Sequence, residues 1–167
     1  MTQAFLGLGS NLGDRLGYLR AVVTALGQGP LLEVVRVSKV YETVPVEVDE
    51  EQPDYLNCVV EVRYGASPVE LLRFCQGIEA ALGRVRCIPG ETTSRTIDID
   101  VLLFGEEVVE GAHLIVPHPG VLRTFNLKAL ADLAPDVYIP GRGPVGQLLT
   151  GADLSGVREF EEGLIAC

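Results

Sequence analysis

Asp98 and Asp100 interrupt an otherwise apolar run, Arg95-Thr96-Ile97-Asp98-Ile99-Asp100-Val101-Leu102-Leu103-Phe104. Strand side chains alternate faces, so both carboxylates point the same way with Cα atoms about 7 Å apart, at roughly 3.3–3.4 Å of rise per residue. Two carboxylates so spaced can share one or two divalent cations, and metal pairs about 3.5–4 Å apart recur in phosphoryl-group chemistry. The same pair also fits an exposed strand end, because unpaired Asp is rarely buried.

Arginines add a second signal. Arg84, Arg86 and Arg95 stand just upstream of the aspartates, beside Pro89, Gly90 and the hydroxyl run Thr92-Thr93-Ser94. Planar guanidinium groups bind phosphate bidentately, and a glycine-containing loop can carry them onto a triphosphate; ordinary solvated charges after a helix are the other reading. Lys39 and Lys128 are the only lysines and neither lies in a glycine-rich loop, so a Walker-type nucleotide site is absent. His118, held between Pro117 and Pro119 shortly before Arg123, can face a phosphate or close a loop hydrogen bond. Gln76 and Glu79 lie beside an apolar helical stripe, where they contact either a nucleotide or solvent. Tyr55, Asn57 and Phe125 would suit a flat heterocycle, the aromatics stacking on its faces and the amide donating and accepting along its edge.

The elements that must position these groups follow from pattern. Residues 4–9 read as a buried strand, and Ser10-Asn11-Leu12-Gly13-Asp14 supplies turn and cap residues for a helix to about Leu26, with Leu16, Leu19, Val23 and Leu26 on its stripe. Residues 31–41 read as one strand and 55–64 as another. Ser67-Pro68-Val69-Glu70 is a capping box opening a helix that stops near Gly83, with Leu71, Cys75, Ile78 and Leu82 inward. After the aspartate strand, Gly105-Glu106-Glu107 predicts a hairpin to Val108 and Val109. A short strand at 114–116 and a helix over about 125–134 follow, and the remainder, with Pro135, Pro140, Gly141, Gly143 and Pro144, reads as peripheral loops with one more short helix near 145–149. The order strand, helix, strand, strand, helix, strand is the ferredoxin-like split β-α-β arrangement, an α+β fold with an antiparallel sheet. C-terminal elements on its second face would extend it to a three-layer α/β/α sandwich.

With 167 residues, 47% of them hydrophobic, the chain makes one core and is read as a single domain over 1–167. A formal net charge of −10 argues against nucleic acid and anionic membranes as partners, so an anionic substrate needs a local cationic cluster. The four cysteines lack metal-ligand spacing and suit a reducing cytoplasm, and no stretch has the length of a membrane span.

Leu8-Gly9-Ser10-Asn11-Leu12-Gly13-Asp14, Tyr41-Glu42-Thr43-Val44-Pro45, Gln52-Pro53-Asp54-Tyr55-Leu56-Asn57, Gln76-Gly77-Ile78-Glu79, Gly83-Arg84-Val85-Arg86, Arg95-Thr96-Ile97-Asp98-Ile99-Asp100 and Val116-Pro117-His118-Pro119 occur in one order. That ordered set resembles the 6-hydroxymethyl-7,8-dihydropterin pyrophosphokinases (2-amino-4-hydroxy-6-hydroxymethyldihydropteridine diphosphokinases) of the folate pathway, and the resemblance covers about residues 1–150. The resemblance implies transfer of pyrophosphate from ATP to the hydroxymethyl group of a reduced pterin, releasing AMP. It implies that Asp98 and Asp100 hold two Mg²⁺ ions, with Arg84 and Arg95 also catalytic. Gln76, Glu79, Arg84, Arg86, His118 and Arg123 would line the ATP side, and Thr43, Val44, Val46, Tyr55, Asn57 and Phe125 the pterin pocket. A monomer is the expected state. Where members commonly carry Arg-Trp-Gly-Pro before the Arg-Thr-Ile-Asp run, this chain has Glu91-Thr92-Thr93-Ser94.

Overall fold

The computed structural model describes residues 1–44, 54–83 and 97–161. Its elements are β1 (Thr2–Ser10), α1 (Arg15–Gly27), β2 (Leu32–Val37), β3 (Tyr41–Thr43), β4 (Tyr55–Tyr64), α2 (Pro68–Ala81), β5 (Asp98–Phe104), β6 (Val109–Glu110), β7 (Ile115–Val116), α3 (Thr124–Leu133), β8 (Tyr138–Ile139), β9 (Gly143–Pro144), α4 (Val145–Thr150) and β10 (Val157–Glu159). The main sheet runs β10-β3-β4-β1-β5, β2 also pairs with β4, and every pairing is antiparallel.

Alternation along the central strands builds two cores. Ala4, Leu6 and Leu8 of β1, with Cys58, Val60 and Val62 of β4, join Leu19, Val22 and Leu26 of α1 and Leu71 and Cys75 of α2. Phe5 and Val59 turn the other way and join Leu127, Leu130 and Leu133 of α3 and Val145 of α4. One sheet therefore carries α1 and α2 on one face and α3 and α4 on the other. Local chemistry starts the first two helices: the Asp14 carboxylate accepts from Gly17 N–H at 3.0 Å, and Ser67 Oγ accepts from Glu70 N–H at 3.2 Å, with Pro68 in the first turn. On the α1 stripe Val22 takes the fully buried place expected of Val23, which packs at the edge of the core.

Three elements differ from expectation. The single strand predicted over 31–41 is two, because at Ser38 the ladder switches from backbone to side chain. Ser38 N–H donates to Val59 O at 2.9 Å, while Val59 N–H donates to Ser38 Oγ at 2.8 Å. The predicted hairpin from β5 to Val108 and Val109 does not form; β6 pairs with β7, Val109 opposite Val116. His118 N–H instead donates to Leu102 O at 3.0 Å, so the segment after β7 lies against β5. Finally, β10 joins the sheet beside β3 with Val157 opposite Thr43, an element with no signal in a C-terminal stretch read as peripheral loops.

Candidate active site

The sheet face that carries α3 is bare of large side chains where β1 passes between β4 and β5. Gly7 pairs with Val59 and Asp100, and Gly9 with Asn57 and Asp98. A Cβ on Gly9 would sit 3.0 Å from Asn57 Oδ1, and one on Gly7 would press on Leu102 at 3.2 Å. The two glycines thus floor a cleft of about 930 Å³, at the upper end of the ~300–1,000 Å³ usual for small-molecule sites. Alternating glycines in a buried strand were its sequence signal, since glycine there marks close approach of another group.

At one end of the floor stand Asp98 and Asp100, both facing the cleft and half exposed. Across from them, Thr43, Val44, Tyr55 and Asn57 line the cleft from β3 and β4, and Phe125 from the first turn of α3. Asn57 Nδ2 donates to Thr43 Oγ1 at 2.7 Å, both side chains being buried. That bond sets the amide orientation and leaves Oδ1 and a second N–H for a ligand edge. Burial pushes the Tyr55 phenol above its ordinary pKa, and the Asp98 carboxylate pushes it further while Arg123 opposes, so the three groups share one electrostatic neighbourhood. Tyr55 accordingly keeps its proton at neutral pH.

His118 completes the aspartate end. Its backbone is fastened to β5, and its Nδ1 accepts from Gly120 N–H at 2.9 Å. The proton of the neutral ring therefore resides on Nε2, which faces Asp100 Oδ1 at 3.6 Å. The loop is braced in turn by Asn126, buried at the start of α3, whose Nδ2 donates to Gly120 O at 2.8 Å. Arg123 is the N-cap residue of α3 and opens onto the same cleft.

A match to the family described as 7,8-dihydro-6-hydroxymethylpterin-pyrophosphokinase (HPPK) covers residues 5–135. The chain belongs to the HPPK family. Relatives named 2-amino-4-hydroxy-6-hydroxymethyldihydropteridine pyrophosphokinase include one from Bacillus subtilis, 44% identical over 80% of this chain and 79% of its own. Another, from Methylorubrum extorquens, is 41% identical over 96% of this chain and all of its own length. Among solved structures, a Plasmodium falciparum HPPK-DHPS, wild type with pteroate, superposes with a TM-score of 0.69 at 15% identity, over 89% of this chain. The present chain spans 44% of that protein, and the likeness concerns the fold.

As an HPPK-family enzyme, the chain places its predicted site residues unequally. Asp98, Asp100, His118, Arg123, Thr43, Val44, Tyr55, Asn57 and Phe125 meet in one cleft. Gln76 is exposed on α2 and, like Glu79, does not line it. Glu79 corrects the expectation of a flank residue facing nucleotide or solvent: it is 5% exposed, and its Oε2 accepts from Ile99 N–H at 3.0 Å. A carboxylate inside the α2–β5 interface satisfies a backbone donor there, between the two aspartates. Arg84, Arg86, Arg95 and Val46 lie outside the described residues, as does the Glu91-Thr92-Thr93-Ser94 departure. Sequence reasoning missed the glycine floor, the Asn126 brace and a wall formed by Asp153, Ser155, Gly156 and Val157, which lies beyond the family match. Among the described residues no helix is long and apolar enough to cross a membrane.

Proposed function

We propose that this cleft transfers pyrophosphate from ATP to 6-hydroxymethyl-7,8-dihydropterin, releasing AMP, within one α/β/α sandwich domain. The observation that carries the reading is the convergence of a paired-carboxylate end and an amide-and-aromatic end on a single glycine floor. The pterin lies with its pyrimidinone edge toward Asn57 and Thr43 and its faces toward Tyr55 and Phe125. Its hydroxymethyl group then points along the floor to Asp98 and Asp100.

The donor set fits Mg²⁺. Both aspartates offer hard oxygen ligands, and among the described residues no group of three or more His, Cys, Asp or Glu side chains could hold a metal alone. Mg²⁺ is commonly held by one or two carboxylates with the remaining positions given to water and substrate phosphates. When bound, it supplies charge neutralisation and alignment of the triphosphate. Arg123 and, by the family resemblance, Arg84, Arg86 and Arg95 bind the phosphates. Gln76 is assigned to the nucleotide side. His118 Nε2–H donates to a phosphate oxygen or to Asp100, and Glu79 holds β5 so that the aspartates keep their spacing. The hydroxyl oxygen attacks the β-phosphorus in line, its proton is released to water, and the bond to the bridging oxygen breaks with the electron pair leaving on AMP. The protein works by position and charge, which is where catalysis of phosphoryl transfer resides.

Phosphorus NMR of protein, ATP, Mg²⁺ and 6-hydroxymethyl-7,8-dihydropterin, against a control without pterin, tests this. Pterin-dependent AMP with a diphosphorylated pterin is the expected result. ADP in its place, or no turnover, would overturn it.

A further inference from the structure

Behind the pterin side, on the face away from the cleft, lies a charged cluster that the reaction does not use. Arg15, the first residue of α1, donates from Nη1 to Glu42 Oε2 at 2.9 Å and to the Asp54 carbonyl at 2.8 Å. Arg158 of β10 donates from Nη2 to Glu42 Oε1 at 2.6 Å and to Asp54 Oδ2 at 3.1 Å. Each Glu42 oxygen thus holds one guanidinium. In sequence, three members adjoin a cleft residue: Glu42 of β3 precedes Thr43, Asp54, immediately before β4, precedes Tyr55, and Arg158 of β10 follows Val157. Strand alternation sends such neighbours to opposite faces. Register links them on both sides, with Val157 opposite Thr43, Thr43 opposite Tyr55 and Arg158 opposite Glu42.

We propose that Arg15, Glu42, Asp54 and Arg158 form a clamp that latches β10 to the sheet and so positions the pterin wall of the cleft. The inference rests on the pterin reading of that site. These are positioning residues; none touches the cleft. The latch matters because β10 is a three-residue edge strand otherwise joined by three ladder pairs, one further backbone bond from Phe160 N–H to Val40 O at 2.8 Å, a long Lys39–Glu159 contact at 3.7 Å and the partly buried side chains of Val157 and Phe160 at the core edges. Such a strand opens locally at low free-energy cost. When it opens, Ser155, Gly156 and Val157 leave the cleft, and apparent affinity falls by the fraction of molecules still closed. Arg158 is 65% exposed, so its pairs add little to global stability. A small shift in a local equilibrium still changes binding.

The test uses the whole chain and 6-hydroxymethylpterin, whose fluorescence is read without interference because the chain has no tryptophan. Arg158→Met should weaken binding about fivefold, and Arg158→Lys should recover part of the loss. In turnover the loss should fall on KM for pterin, with KM for ATP and kcat at saturating pterin held. Because the ligand is uncharged, its affinity for wild type should also fall between 0.05 and 1 M NaCl, where screening shortens to about 3 Å, and should fall less for Arg158→Met. Binding by Arg158→Met as tight as wild type overturns the clamp while leaving the pterin site standing. Absence of binding to wild type overturns both. If Arg158→Met does not fold, the salt response of wild type decides: weakening supports the latch and a flat response overturns it.

Discussion

Residue types at the cleft divide the labour between charge and shape. Asp98 and Asp100 contribute charge from the edge strand, and Asp100→Asn keeps the shape while removing it. Turnover should then fall by at least about 10²-fold in an AMP-release assay, the size typical of losing one group that stabilises developing phosphate charge, with the fold retained. Retained turnover at saturating Mg²⁺ would mean that the carboxylates do other work. Gly9 contributes shape. In Gly9→Ala the new methyl would stand 3.0 Å from Asn57 Oδ1, tighter than ordinary contact, so the amide must give by a few tenths of an ångström and its Thr43 bond and its aim at the ligand edge are disturbed. KM for pterin should rise roughly tenfold, as expected when about one hydrogen bond of binding is lost, while KM for ATP stays. Equal losses for both substrates would place Gly9 in general packing.

At the scale of elements, sequence reading succeeded where the signal was local and stopped where the partner was distant. The Ser67 cap, the alternation of β4 and the aspartate strand each declare themselves within ten residues. The break between β2 and β3 does not, because Ser38 stands in for a ladder group of Val59, which is 21 residues away. Nor does β10, whose pairing with β3 spans more than a hundred residues, or the burial of Glu79, whose helix position reads as a flank until β5 arrives to donate. The candidate site was legible through its motifs; its floor was signalled by Gly7 and Gly9 but not read, and its C-terminal wall had no local signal. Ser38→Ala tests the break. It leaves Val59 N–H buried in a central strand without its acceptor, at a cost of about 1–3 kcal/mol. For a chain of this size that is a fall in Tm of roughly 3–10 °C, measured by thermal unfolding. An unchanged Tm would show that the strands rejoin through the backbone.

Across the whole molecule, each helical layer is fastened to the sheet by a polar bond, Glu79 of α2 to Ile99 on one face and Asp132 of α3 to Tyr41 on the other, and the second gives stability a pH dependence. The Tyr41 hydroxyl, at the end of a buried ring on β3, donates to the Asp132 carboxylate of α3. Burial and that carboxylate hold the Tyr41 phenol well above its ordinary value of 10.0. A folded-state pKa raised above the unfolded one means that the folded protein binds the proton more tightly. The stabilisation is therefore complete below about pH 10 and is lost as pH climbs from there toward the folded value, at up to about 1.4 kcal/mol per pH unit. Tyr55, Tyr64, Cys58 and Cys75 are displaced upward too, Cys75 to about 12, so wild type alone cannot assign the slope. The difference from Tyr41→Phe can. That variant should be less stable by about 1–2 kcal/mol at pH 8, the low end for a hydrogen bond to a charged group whose exposed acceptor regains water. Urea unfolding at pH 8, 9, 10 and 11 should show the gap constant up to pH 9 and closing by pH 11. A gap that stays constant at pH 11 would mean that the Tyr41 proton is held no more tightly in the folded protein than in the unfolded chain.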